Sequence, residues 1–208
     1  VISETATSVA GLVRLIMKYQ GWNFRSGSWT LAKFAAALWV FDHSKAAAAG
    51  LFNALPSWFQ QLSLAGITLG LCGTGLAYFL ELCMTFGVAF GIYLFLRPVL
   101  FVTHELGHIA VLRAFGDKRT VYQVDKGGAQ VIPGVELSNT EQVTVSLVGL
   151  VMNLSMIITA ASHVFPLLTT VRGVLVAVMA TLFLIEEQFD WSSSDLAIAK
   201  DAWNKLFG

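Results

Sequence analysis

The sequence predicts an all-α polytopic membrane protein with about four transmembrane helices, N-terminal interfacial helices and a small β-hairpin. Three observations carry that expectation. Hydrophobic residues make up 56% of the chain and charged residues only 12%, against roughly 25% charged in a soluble domain. Several apolar runs approach or exceed the ~20 residues that cross a bilayer. Trp22, Trp29, Trp39 and Trp58 gather near the start, and tryptophan favours membrane–water interfaces.

Residues 1–61 read as an interfacial, amphipathic region and residues 62–208 as a membrane-embedded core. In the first region Arg14, Lys18, Arg25, Lys33, Asp42, His43 and Lys45 interrupt every apolar window, which predicts short helices near 8–20, 28–42 and 45–60 lying on the membrane. The run from Leu62 to Leu80 is the first spanning candidate, with Gly66, Gly70, Gly73 and Gly75 allowing close helix approach. A second apolar stretch, Leu82 to Phe115, is too long for one straight span. Arg97-Pro98 predicts a break or kink there, with a helix from about 98 to Gly116.

Residues 117–137 are polar and β-branched around Gly127-Gly128, the pattern of a hairpin. Ser138 and Glu141 have the spacing of a capping box, so a spanning helix opens there and runs to about 162. His163, Pro166 and Arg172 mark a turn, and Val171 to Ile185 forms the last span. Cys72 and Cys83 have no paired spacing and read as ordinary buried thiols. Net charge is zero and no basic run interleaves with aromatics, which argues against nucleic-acid binding. Arg113, Lys118, Arg119, Lys126, Lys200 and Lys205 outnumber Arg172 on the other side, so the positive-inside rule puts the hairpin and C-terminus in the cytosol.

Inside the second apolar stretch stands His104-Glu105-Leu106-Gly107-His108. Residues four apart share a helix face, so both imidazoles can hold one Zn²⁺ while Glu105 points at the water on the metal. Ionisable residues in a membrane helix are costly, and three together mark a functional site. A third ligand is required, and downstream the residues offer Asp190, Asp195, His163, Glu186 and Glu187.

The His-Glu-Leu-Gly-His motif in an apolar helix, Gly149-Leu-Val-Met-Asn153 in a later span, and an Asp about forty residues beyond it resemble the site-2 protease family of intramembrane zinc metalloproteases. The resemblance covers roughly residues 85–200. It implies His104, His108 and Asp195 as metal ligands, Glu105 as the catalytic base, and substrate contacts from Asn153 and from a Gly-rich hairpin supplied by Gly127 and Gly128. The chain departs from the family pattern in having Leu150 after Gly149, where Gly-Pro is usual, and Leu196 after Asp195, where Asp-Gly is usual.

The function implied is a zinc-dependent intramembrane endopeptidase. Its partners would be a transmembrane protein substrate, the lipid bilayer, and a regulatory or complex-forming membrane protein. It would be an integral, multi-pass protein with its active site toward the cytosolic side, and a strand edge in the 120–135 region would hold substrate extended. The alternative is a non-catalytic membrane subunit or assembly factor that keeps the metalloprotease-like zinc scaffold. A zinc-handling protein is a further rival, but transport predicts ionisable residues in several spans, and here they concentrate in one.

Overall fold

The computed structural model describes residues 4–53, 67–124, 129–191 and 193–208. The chain is mostly helical with one small sheet. Strand β1 (Glu4–Ala6) leads into helix α1 (Val9–Asn53), and helix α2 (Ile67–Ala114) follows. Strands β2 (Val121–Val124) and β3 (Ala129–Ile132) precede α3 (Asn139–Val164), a 3₁₀ turn (Phe165–Leu167), α4 (Val171–Trp191) and α5 (Ser193–Phe207).

Two expectations for the first half are corrected. In place of three short helices, α1 runs unbroken for 45 residues. Its charges do not stop it because Arg14, Lys18, Arg25, Lys33 and Lys45 sit on the exposed side. Leu12, Ile16, Gln20, Asn23, Gly27, Leu31, Phe34 and Leu38 recur every three or four residues as one inward stripe. That stripe lies along α2, where the backbones nearly touch. A Cβ at Gly91 would fall 2.7 Å from Leu31 N, and one at Gly27 would strike the backbone of Leu94 and Phe95.

The second correction concerns Arg97-Pro98, which does not divide the apolar stretch. Helix α2 carries Pro98 inside its 48 residues. Proline removes one backbone donor, a cost that neighbouring helices can absorb in an apolar setting. The described part of the first spanning candidate and the motif helix are therefore one helix. Of that candidate, residues 62–66 lie outside the described residues, as does Trp58.

Among the described residues two helical segments are long and apolar enough to cross a membrane, Leu76–Ala114 and Asn139–Leu167. Only 28% of the apolar window in each is buried, whereas the core helix of a soluble protein would bury most of it. Trp22, Trp29 and Trp39 are exposed on α1 rather than packed in a core.

Helix α3 opens on the expected capping box. Ser138 Oγ accepts the Glu141 N–H and the Glu141 carboxylate accepts the Ser138 N–H. The sheet is antiparallel in the order β1-β2-β3, with Thr5 opposite Gln123 and Tyr122 opposite Val131. Strands β2 and β3 form the expected hairpin, while β1 is an addition. Glu4 is held by Lys18 and Tyr19 of α1. Leu12, Ile16, Phe101, Ile109, Tyr122 and Val124 form a core joining α1, α2 and the sheet. Leu100, Ile157 and Leu184 join α2, α3 and α4.

Candidate metal centre

Helical spacing puts His104 and His108 on the same side of α2, facing α3 and the start of α5. Asp195 stands in the first turn of α5, which packs on α3. His104 Nε2 lies 3.1 Å from Asp195 Oδ2, and His108 Nε2 lies 3.3 Å from the same oxygen. One ligand atom from each of the three residues falls within 4.8 Å of the others. Tetrahedral bonds of about 2.0–2.1 Å imply ligand–ligand edges of about 3.3–3.4 Å, which the two His–Asp distances approach, so this donor set could hold a metal ion. The residues that could hold it are His104, His108 and Asp195.

Two further observations fit the same use. His108 Nδ1 donates to the Val145 carbonyl oxygen at 2.7 Å, which leaves Nε2 as the lone-pair nitrogen and fixes the ring. Gly149 of α3 faces the rings, and a Cβ there would lie 2.7 Å from His104 Nε2 and 2.8 Å from His108 Nε2. The two histidines are not equally supported. His104 Nδ1 is buried without a hydrogen-bond partner among the described residues.

Glu105 is 4% exposed and lines the same cavity of about 610 Å³ as His104, His108 and Asp195. Ala129, Gln130 and Val131 of β3 form part of the wall, and β3 is the outer strand of the sheet on that side. A cavity, a buried carboxylate, a group able to hold a metal ion and a strand edge therefore meet in one cleft.

The other downstream candidates are placed apart from the ligand atoms. Asp190 lines the cavity without joining the cluster. Glu186 and His163 are exposed. Glu187 accepts from Arg97 Nε at 2.8 Å and from the Tyr93 hydroxyl. Arg97 and Glu187 both line the cleft, so this α2–α4 ion pair is part of its wall. The sequence carried a signal for it, since a lone arginine in an apolar helix calls for an acid partner.

Asn153 is fully buried and its amide is engaged within the bundle. It accepts from Thr103 Oγ1 at 2.7 Å and donates to the Leu100 carbonyl at 2.8 Å and to Gln188 Oε1. The residue thus ties α2, α3 and α4 together and is absent from the cavity lining. Gly127 and Gly128, the other expected substrate contacts, lie outside the described residues.

Comparison with protein-family models, with curated proteins and with solved structures finds no match. Fold and site together define a class: a mostly helical protein, with two segments among the described residues able to cross a membrane, that gathers two buried histidines and a half-buried aspartate able to hold a metal ion.

Proposed function

We propose that this chain is a zinc-dependent intramembrane endopeptidase of the site-2 protease kind, which hydrolyses peptide bonds of transmembrane substrates. The observation that carries the reading is the convergence of His104, His108 and Asp195 beside Glu105, in a cleft walled by the edge strand β3. When bound, zinc supplies Lewis acidity toward a water and a peptide carbonyl. Glu105 takes the proton of the attacking water and hands it to the leaving amine. Burial of Glu105 and both histidines keeps bulk water from competing with the single water that reacts.

A helical substrate hides its carbonyls in intrahelical hydrogen bonds, so it must unwind before it can be cut. The free edge of β3 offers backbone partners to the unwound segment, which then lies extended across the cleft. The outward-facing apolar segments of α2 and α3 support a membrane setting. In this proposal α4, with 21 residues, crosses as well, and the end of α2 and the C-terminus face the cytosol by the positive-inside rule. His104 and His108 then lie about two to three turns inside that face.

The test measures bound zinc and cleavage of a model transmembrane peptide for the parent, Glu105→Gln and Asp195→Ala. Glu105→Gln is expected to keep zinc and lose cleavage, and Asp195→Ala to lose zinc. Cleavage by Glu105→Gln at the parental rate defeats the proposal. A parent that binds zinc and cleaves nothing favours the non-catalytic scaffold.

A further inference from the structure

We propose a second site, a pocket for a phosphate group at the C-terminal end of α2, occupied by the headgroup of an anionic phospholipid. The pocket has a volume of about 300 Å³ and is lined by Thr7, Arg113, Asp117, Lys118, Thr120 and Tyr122. It shares no lining residue with the His-His-Asp cleft.

Its construction follows from how α2 ends. The chain turns at Gly116, whose φ of +86° suits glycine, and the Asp117 N–H closes on the Leu112 carbonyl. Asp117 is thereby buried at the floor of the pocket, yet its carboxylate is already engaged. Oδ1 accepts the Arg119 N–H at 2.8 Å, and Oδ2 accepts Thr120 Oγ1 at 3.0 Å and the Gly134 N–H at 2.7 Å. With that anion engaged by three donors, the two cations set the character of the opening.

Neither Arg113 nor Lys118 has an ion pair or side-chain hydrogen bond among the described residues. Tyr122 is only 2% exposed, and its hydroxyl has no hydrogen-bond partner among the described residues. The ring lines the pocket, where its hydroxyl is open to an acceptor. Two cations, an unpartnered phenol and the Thr7 hydroxyl make a donor-rich cavity for an oxyanion. Phosphate, with several strong acceptor oxygens, matches it.

Position selects the source of that phosphate. The pocket opens three residues past the end of the apolar segment Leu76–Ala114, on the side with most basic residues. Anionic lipids populate the cytoplasmic leaflet at that level. Thr7 joins β1 to α1, so an occupant also links the start of the chain to the end of the motif helix. The lipid source rests on the membrane orientation proposed above, while the phosphate chemistry does not.

The experiment titrates the full chain in neutral detergent with phosphatidylglycerol and, separately, with inorganic phosphate, and reads adducts by native mass spectrometry. The parent is expected to retain one phosphatidylglycerol in preference to phosphatidylcholine, with inorganic phosphate displacing it only at much higher concentration. The double variant Arg113→Gln/Lys118→Gln is expected to weaken binding roughly thirtyfold, at about fivefold per interfacial cation. Tyr122→Phe, which removes one hydroxyl and keeps the packing, weakens it by about fivefold. Inorganic phosphate binding as tightly as the lipid overturns the headgroup assignment. Lipid retention unchanged in the double variant, or no retention by the parent, overturns the site. Zinc content reads the other centre in the same samples, so failure here and failure of the protease proposal are told apart.

Discussion

Gly149 lies against the imidazole of His104 so closely that a methyl group in place of its hydrogen would stand 2.7 Å from both Cε1 and Nε2 of the ring. The α3 backbone is therefore one wall of the metal centre, and the wall must be bare. Gly149→Ala is expected to push both imidazoles away from Asp195 and weaken zinc binding by roughly 10–100-fold, as loss of a supporting contact does. Competition with a chelator of known affinity measures it. Zinc affinity equal to the parent's would mean that the rings relax around the methyl group at no cost.

Asn153 invites a test that separates two roles. As a tie between three helices, Asn153→Ala leaves the Leu100 carbonyl, Thr103 and Gln188 without partners and is expected to cost about 2–4 kcal/mol of stability. A residue that instead touches substrate would raise KM and leave the melting temperature alone. Melting in detergent alongside KM decides between them.

Arg97 and Glu187 join α2 to α4 at the cleft wall, with their side chains 29% and 14% exposed. Breaking one member of a buried pair costs about 3–5 kcal/mol, and the partial exposure here reduces that to about 1–3 kcal/mol for Glu187→Gln. Arg97→Met/Glu187→Met is expected to recover part of the loss, because no charge is then left without its partner. A double-mutant cycle on thermal stability gives the coupling energy, and a value near zero refutes the pairing.

Asp117 supplies the pH dependence. Burial raises its pKa, but the Arg119 and Gly134 N–H groups and the Thr120 hydroxyl outweigh that and hold it below the ordinary carboxylate value. A carboxylate depressed in the folded state stabilises the fold above its unfolded pKa of about 3.9, and the benefit vanishes as pH falls through the folded value. Asp117→Asn is expected to be less stable than the parent by about 1–3 kcal/mol at pH 7, with the gap closing below about pH 4. A gap that stays constant down to pH 3 contradicts the assignment.

What could be read from the chain divides by the range of the interaction. The capping box at Ser138 and the His104–His108 spacing are local, and the structure has both as expected. Asp195 could be singled out from the other downstream candidates only through resemblance, because the fold that brings it to His104 spans 91 positions of sequence. The unity of α1 was legible in principle in the stripe from Leu12 to Leu38. It was obscured because charged residues on the other face were read as breaks. Arg97-Pro98 suggests a break or kink, while the acid that engages Arg97 and keeps it within the helix lies on α4. Strand β1, three residues long, is too short for alternation to show.

Strand β1 has a further consequence for how the sheet is used. It covers the outer side of β2, and α1 fastens it there through Lys18 and Tyr19 on Glu4. Among the described residues the sheet keeps two outer strands, β1 and β3, and of these only β3 lines the cleft. Under the proposed function, an extended chain lying on the β3 edge would exclude any other, which would make the cleft a turnstile admitting one polypeptide at a time.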